Sequence, residues 1–187
     1  MVPRSIPVFV LGIQLAACAA SGERAAPPAA GGDPSLASAP APADRERDKQ
    51  AIGTLLDDWH AAAAKADEER YFAHFTPDAV FLGTDATERW DLAAFRAFAH
   101  PFFARGKAWS FRSVRRAVIV GPGGSIAWFD EDLDTPNMGP ARGSGVLVRE
   151  RPGAPFRIAH YNLALTIPNE RMDQVKALLA GEAPKSP

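Results

Sequence analysis

The sequence predicts an α+β fold, with helices and a run of antiparallel strands segregated along the chain. Three observations carry this prediction. Apolar residues recur at helical spacing early in the chain, as in Ile52, Leu55, Leu56, Trp59 and Ala63. From Trp109 to Ile167 the pattern turns β-like and is cut by turn clusters at 121–124, 136–140 and 152–155. Helices and strands do not alternate in βαβ fashion, which argues against a doubly wound parallel sheet.

The elements follow in order. The first helix starts near Asp44, a plausible N-cap. A short second helix spans 68–75, with Asp67 as its cap and Tyr71, Phe72 and Phe75 turned inward; Thr76-Pro77-Asp78 stops it. Ala79 to Gly83 reads as a short strand. Asp91 caps a third helix carrying Leu92, Phe95, Phe98 and Phe102 on one face, and Pro101 is expected to kink or end it. Four strands follow, at 109–120, 125–134, 142–151 and 156–167. Pro168 ends the sheet, and Asn169 caps a last helix with Met172, Val175 and Leu178 or Leu179 on its apolar side.

The first 43 residues have a different character. Arg4 precedes an apolar run, Ile6–Ala17, that ends in small residues. This is the layout of a secretory signal, and it is shorter than the roughly 20 apolar residues a spanning helix needs. Leu15-Ala16-Ala17-Cys18 resembles the bacterial lipobox, in which the cysteine thiol carries a diacylglycerol and becomes the new N-terminus. The alternative is an ordinary signal cut at a nearby Ala-x-Ala site. Ala19 rather than Asp follows the cysteine, which favours the outer membrane in a Gram-negative source. Residues 18–43 then form an Ala/Pro-rich segment with no large apolar periodicity, expected to be a disordered tether. The organisation is therefore signal peptide 1–17, lipidated tether 18–43, folded domain 44–182 and disordered tail 183–187. The expected location is the cell envelope, with the membrane reached through the lipid on Cys18.

Composition narrows the function classes. Net charge is -1 over 187 residues, so nothing suggests attraction to nucleic acid. The four histidines lack metal-ligand spacing and the one cysteine is expected to be lipidated, so no metal site is expected. Neither a nucleophile elbow nor a phosphate loop is present, and no cofactor is implied. Gly143-Ser144-Gly145 falls inside a strand and marks a bulge or a close approach.

The string from Tyr71 to Phe81, the run Phe81-Leu82-Gly83-Thr84-Asp85 with Trp90, the run Ile126 to Glu131, and Arg157 to Leu163 followed by Ile167-Pro168-Asn169 resemble the SnoaL-like branch of the nuclear-transport-factor-like superfamily. The resemblance spans about residues 46–180. It implies a cone: a strongly curved mixed sheet packed on N-terminal helices, with a pocket open at one end. It also implies a homodimer through the outer face of the sheet. The superfamily holds isomerases, dehydratases, cyclases, hydrolases and members with no known reaction, so it does not settle activity.

Strand alternation suggests candidates for chemistry. One face carries Ile126, Trp128, Asp130 and Asp132; in the last strand, His160 and Asn162 share a face with Ile158. These mixed polar faces are the expected pocket faces. Asp130 or Asp132 would act as base, raised in pKa beside Trp128, with His160 as acid or orienter. Alternatively, the two aspartates pair with Arg142 or Arg149 across strands. Tyr71 or Asn162 would donate a hydrogen bond to a ligand, unless Tyr71 only packs in the core. Trp59, Phe81, Trp90, Phe95 and Trp128 complete the expected pocket; Asp85, Glu88 and Trp90 lie in the loop that the resemblance makes its rim, unless Asp85 instead caps a turn. His60 and His100 read as structural. The favoured reading is a pocket for a small apolar molecule. Its rivals are a cofactor-free enzyme working by Asp/His proton transfer and a dimeric envelope interaction module.

Overall fold

The computed structural model describes residues 41–136, 138–151 and 153–181. The expected signal peptide, Cys18, the tether up to residue 40 and the tail 183–187 lie outside the described residues. Helix α1 spans Pro42–Ala64. It begins earlier than the sequence suggests: Ala41 precedes it and Asp44 lies in its first turn. Pro42 fits there because the first-turn N–H groups have no intrahelical partner to lose. Ile52, Leu56 and Trp59 are buried along its inner face. Its start is pinned to the sheet by Arg149, which donates to both oxygens of Asp48 at 2.8 and 2.6 Å.

Helix α2 (Glu68–Ala73) is capped by Asp67, which accepts from the Arg70 N–H at 3.2 Å. Strand β1 (Phe75–Leu82) then starts four residues sooner than expected. It runs through Thr76-Pro77-Asp78, where the pairing with the last strand shifts register between Phe75 and Val80. Pro77 is tolerated at that irregularity because no ladder N–H is required of it. A short strand that the sequence does not announce, β2 (Arg89–Asp91), pairs antiparallel with β1. Helix α3 (Leu92–Ala104) is capped by Asp91, whose carboxylate accepts from Ala94 N–H at 2.8 Å. Pro101 stands inside this helix, which continues to Ala104.

Strands β3 (Arg112–Val120), β4 (Ile126–Asp134), β5 (Ala141–Val148) and β6 (Arg157–Leu165) complete a six-stranded sheet ordered β2-β1-β6-β5-β4-β3. Only β1 and β6 run parallel. Helix α1 packs against β3 and α3 against β1 and β2, with α2 against both helices. The chain ends in a 3-10 turn, Asn169–Arg171, and helix α4 (Met172–Leu179). Asn169 makes no side-chain cap for α4, and no residue of α4 is buried.

Two bulges set which residues face inward. Ser113 opposes Leu133 and Arg115 opposes Asp132, leaving Val114 as an extra residue. Likewise Leu147 opposes Ile158 and Val146 opposes His160, leaving Ala159 extra. A bulge bends its strand and resets the alternation. Ile158 and Tyr161 are therefore both buried, and strict alternation, which puts Ile158 with His160 and Asn162, fails here.

Candidate functional site

An apolar cup opens where α3 meets the β1–β2 hairpin. Its volume is about 180 Å³. Phe81 on β1, Trp90 on β2, and Phe95, Phe98 and Phe102 on α3 supply five of its rings. Trp109 and Phe111, between α3 and β3, supply two more, with Met138 and Leu163 filling the remaining wall. The rings brace one another: Phe81 and Phe95 stack at 3.9 Å between centroids, and Trp90 and Phe98 at 4.6 Å. Such pairs add about 0.5–1.5 kcal/mol each beyond the area they bury.

Gly83, Thr84 and Glu88 form the polar lip. Asp85 is not among the lining residues. Its carboxylate accepts from the Thr87 N–H at 2.8 Å and from the Thr87 hydroxyl at 2.5 Å, shaping the hairpin turn. The Thr87 hydroxyl, then its N–H, hold the Asp85 carboxyl below its usual range. Of the two carboxylates in the expected rim loop, Glu88 lines the cup and Asp85 does not.

Behind the cup lies a second layer of aromatic residues. Tyr71 is 5.6 Å from Trp109 and 6.2 Å from Phe95, centroid to centroid. Trp59 stacks on Tyr71 at 5.3 Å and meets Tyr161 edge-on at 4.7 Å. Trp59 and Tyr71 thus support the pocket without lining it. Burial pushes the Tyr71 hydroxyl well up in pKa, against the smaller opposing influence of the Trp109 and Trp59 indoles. Those indoles flank the hydroxyl without closing bonds of full geometry, and the Trp59 N–H and Tyr71 hydroxyl have no partner among the described residues.

Deeper still is a buried ionic group. Glu131 on β4 is fully buried. Its Oε1 lies 2.7 Å from His60 Nε2, and its Oε2 accepts from Arg116 Nε at 2.9 Å. Arg116 also donates to the Gly53 carbonyl at 2.9 Å and reaches Asp57 at 2.9 Å. Burial would raise the Glu131 carboxyl, but His60 and Arg116 outweigh it and hold the group below its usual value. Gly143 makes room for this cluster, since a Cβ there would overlap the Tyr161 hydroxyl and sit 3.1 Å from Glu131 Oε1. Burial, with Glu131 and Tyr71 nearby, pushes the Tyr161 hydroxyl far above its ordinary pKa. Glu131 is thus a clamped anion; both of its oxygens already serve cations or donors, which suits it to structure rather than to proton transfer.

The expected acid–base group stands elsewhere. Ala127, Phe129, Glu131 and Leu133 are the inward residues of β4, so Trp128, Asp130 and Asp132 face outward. Trp128 is 43% exposed and lines no part of the cup. Asp130 opposes Ser144, which opposes Asn162, and Trp128 opposes Val146, which opposes His160. Directly paired residues share a face, so His160 and Asn162 are outside as well. Asp132 accepts from Arg115 Nε at 2.7 Å and lies 3.7 Å from Arg142. The Arg115 hydrogen bond is the main cause holding its carboxyl below the usual range. Arg149 is engaged with Asp48 instead.

Sequence reasoning missed Glu131 and Arg116; His60, read as structural, is the third member of their buried cluster. The signal was a lone carboxylate on the otherwise apolar face Ala127, Phe129, Glu131 and Leu133. A charge placed there needs a buried partner. Among the described residues, no group of three or more His, Cys, Asp or Glu side chains is arranged to hold a metal ion.

The sequence profile of the SnoaL-like domain family matches residues 52–168. The chain belongs to the SnoaL-like domain family. No curated protein matches this SnoaL-like chain. Several solved structures share its fold. A nuclear-transport-factor-like protein of unknown function from Pseudomonas putida KT2440 is 14% identical, with 67% of this chain and 91% of that chain covered and a TM-score of 0.55. A proposed aromatic ring hydroxylase from Novosphingobium aromaticivorans is 21% identical, covering 66% and 92%, at a TM-score of 0.56. A proposed scytalone dehydratase from the same species is 12% identical, covering 65% and 86%, at 0.53. At these identities the likeness shows the fold alone.

Proposed function

We propose that this SnoaL-like domain binds a small, largely apolar molecule in the aromatic cup, held at the cell envelope by a lipid on Cys18. The lining of the cup carries this reading: seven aromatic rings with little polar surface, open to solvent. No reaction is assigned to it. The acid–base residues expected from the sequence, Asp130, Asp132 and His160, do not line the cup, because they face outward.

Titration with indole, followed by heteronuclear NMR, tests the ligand site. Shifts should cluster on residues of the cup. Phe98 is 41% exposed at its mouth. Phe98→Ala should therefore weaken indole binding about three- to tenfold while costing less than about 1 kcal/mol of stability. Indole shifts scattered over the surface would refute the proposal.

The outer sheet face supports a homodimer. Ile119, Ile126 and Trp128 are 49%, 42% and 43% exposed on neighbouring strands, with Ile119 directly opposite Trp128. Exposed apolar residues grouped this way mark an interaction surface. Trp128→Glu should convert a dimer to a monomer in light scattering, and a wild-type monomer at high concentration would remove the dimer from the proposal.

The anchor has its own test. Intact mass of the membrane-fraction protein should show a diacylglyceryl adduct that Cys18→Ala abolishes. A soluble wild-type product beginning beyond residue 19 would contradict it.

A further inference from the structure

The wall of the cup is unusual for a merely greasy pocket. Only Leu163 and Met138 add non-aromatic apolar side chains to its seven rings. Among the described residues, the one acidic side chain lining it is Glu88, and no lysine, arginine or histidine does so. Aromatic faces carry negative potential and attract a cation within about 6 Å of the ring centroid. One of these rings already does so: the Arg105 guanidinium lies 4.9 Å from the centroid of Phe102, although Arg105 itself does not line the cup.

Glu88 is placed rather than loose. Gly83 N–H donates to the Glu88 carbonyl at 2.9 Å, closing the hairpin. Asp85 N–H donates to Glu88 Oε2 at 3.1 Å. Gly83 carries no side chain where the carboxylate lies, and a Cβ there would overlap it. Oε1 has no hydrogen bond among the described residues.

From this we propose that the ligand carries a tertiary or quaternary ammonium group, seated on the rings with Glu88 as counter-ion. The inference rests on the reading of the cup as a ligand site. Anionic ligands are repelled by Glu88 and by the ring faces. A primary ammonium has three N–H donors to satisfy, and the lip offers only Glu88 and the Thr84 hydroxyl as side-chain acceptors. An alkylated ammonium spreads its charge over methyl groups that the rings contact directly. The cup holds about 180 Å³, which suits such a head group with a short chain.

Isothermal titration of the full chain with choline, and with its uncharged carbon isostere 3,3-dimethylbutan-1-ol, tests this. Choline should bind at least tenfold tighter. Glu88→Gln keeps an acceptor for the Asp85 N–H and removes only the charge. It should cut choline affinity at least fivefold and leave the alcohol within twofold. Equal or tighter binding of the alcohol overturns the ammonium inference while the ligand site stands, as does choline binding that ignores Glu88→Gln. If neither probe binds but indole does, the ammonium inference alone falls. If indole fails too, the ligand-site reading falls and takes the inference with it.

Discussion

Glu131→Ala is expected to destabilise the domain by about 3–5 kcal/mol, the usual cost of removing one partner from a buried ion pair. Arg116 and His60 converge on Glu131 from outside β4, at 2.9 and 2.7 Å. Without the carboxylate, a nearly buried guanidinium keeps only Asp57 and the Gly53 carbonyl. Stabilities of single domains are about 5–15 kcal/mol, so this is a large share. The midpoint of thermal unfolding should fall by roughly 10–15 °C. The same group predicts a pH dependence. Its folded pKa lies below the unfolded value of 4.5, so its contribution is complete above that value. It is lost as pH falls through the lower folded value. Urea midpoints between neutral pH and pH 3 should decline in the wild type, and Glu131→Gln should flatten that decline. A loss under 1 kcal/mol in Glu131→Ala would show that the cluster does not hold the core.

Gly145→Ala should be nearly as damaging, at about 3 kcal/mol or more. Gly145 sits in mid-β5, between Phe129 and Tyr161 on the flanking strands. An added Cβ would overlap the backbone carbonyl of His160 and stand 2.8 Å from Phe129 Cε1. The carbonyl belongs to a strand and cannot swing away, and Phe129 is itself buried. Overpacking of this kind costs about 1–3 kcal/mol when neighbours yield, and more when they do not. Equilibrium urea unfolding measures it, and an unchanged midpoint would mean that β6 can shift locally.

Much of the secondary structure was legible because local rules govern it. The caps Asp67 and Asp91 stand where the sequence puts them, and the turn clusters separate β3 to β6. Helix α2 ends before Pro77, as expected, but Pro77 then stands within β1, and α3 runs past Pro101 to Ala104. Pro77 falls at the register irregularity between Phe75 and Val80. Phe81, Trp90 and Phe95 are among the residues expected in the pocket, and all three line the cup. Glu88 outranks Asp85 there because Asp85 is consumed by Thr87.

The sequence by itself determined the α+β class, the order of the elements other than β2, and the two alternating sets of residues on β4. Periodicity and capping are properties of neighbours, and neighbours are visible in a string. Only the tertiary structure decided which set faces the helices. That choice put Glu131 inside and sent Asp130, Asp132 and His160 outside. It depends on partners far away in the chain, since Glu131 is held inside by Arg116 on β3 and by His60, 71 residues earlier, whose ring nitrogen lies 2.7 Å from Glu131 Oε1. The bulges at Val114 and Ala159 reset the alternation midway. No local pattern reveals them, because a bulge answers to the curvature of the whole sheet.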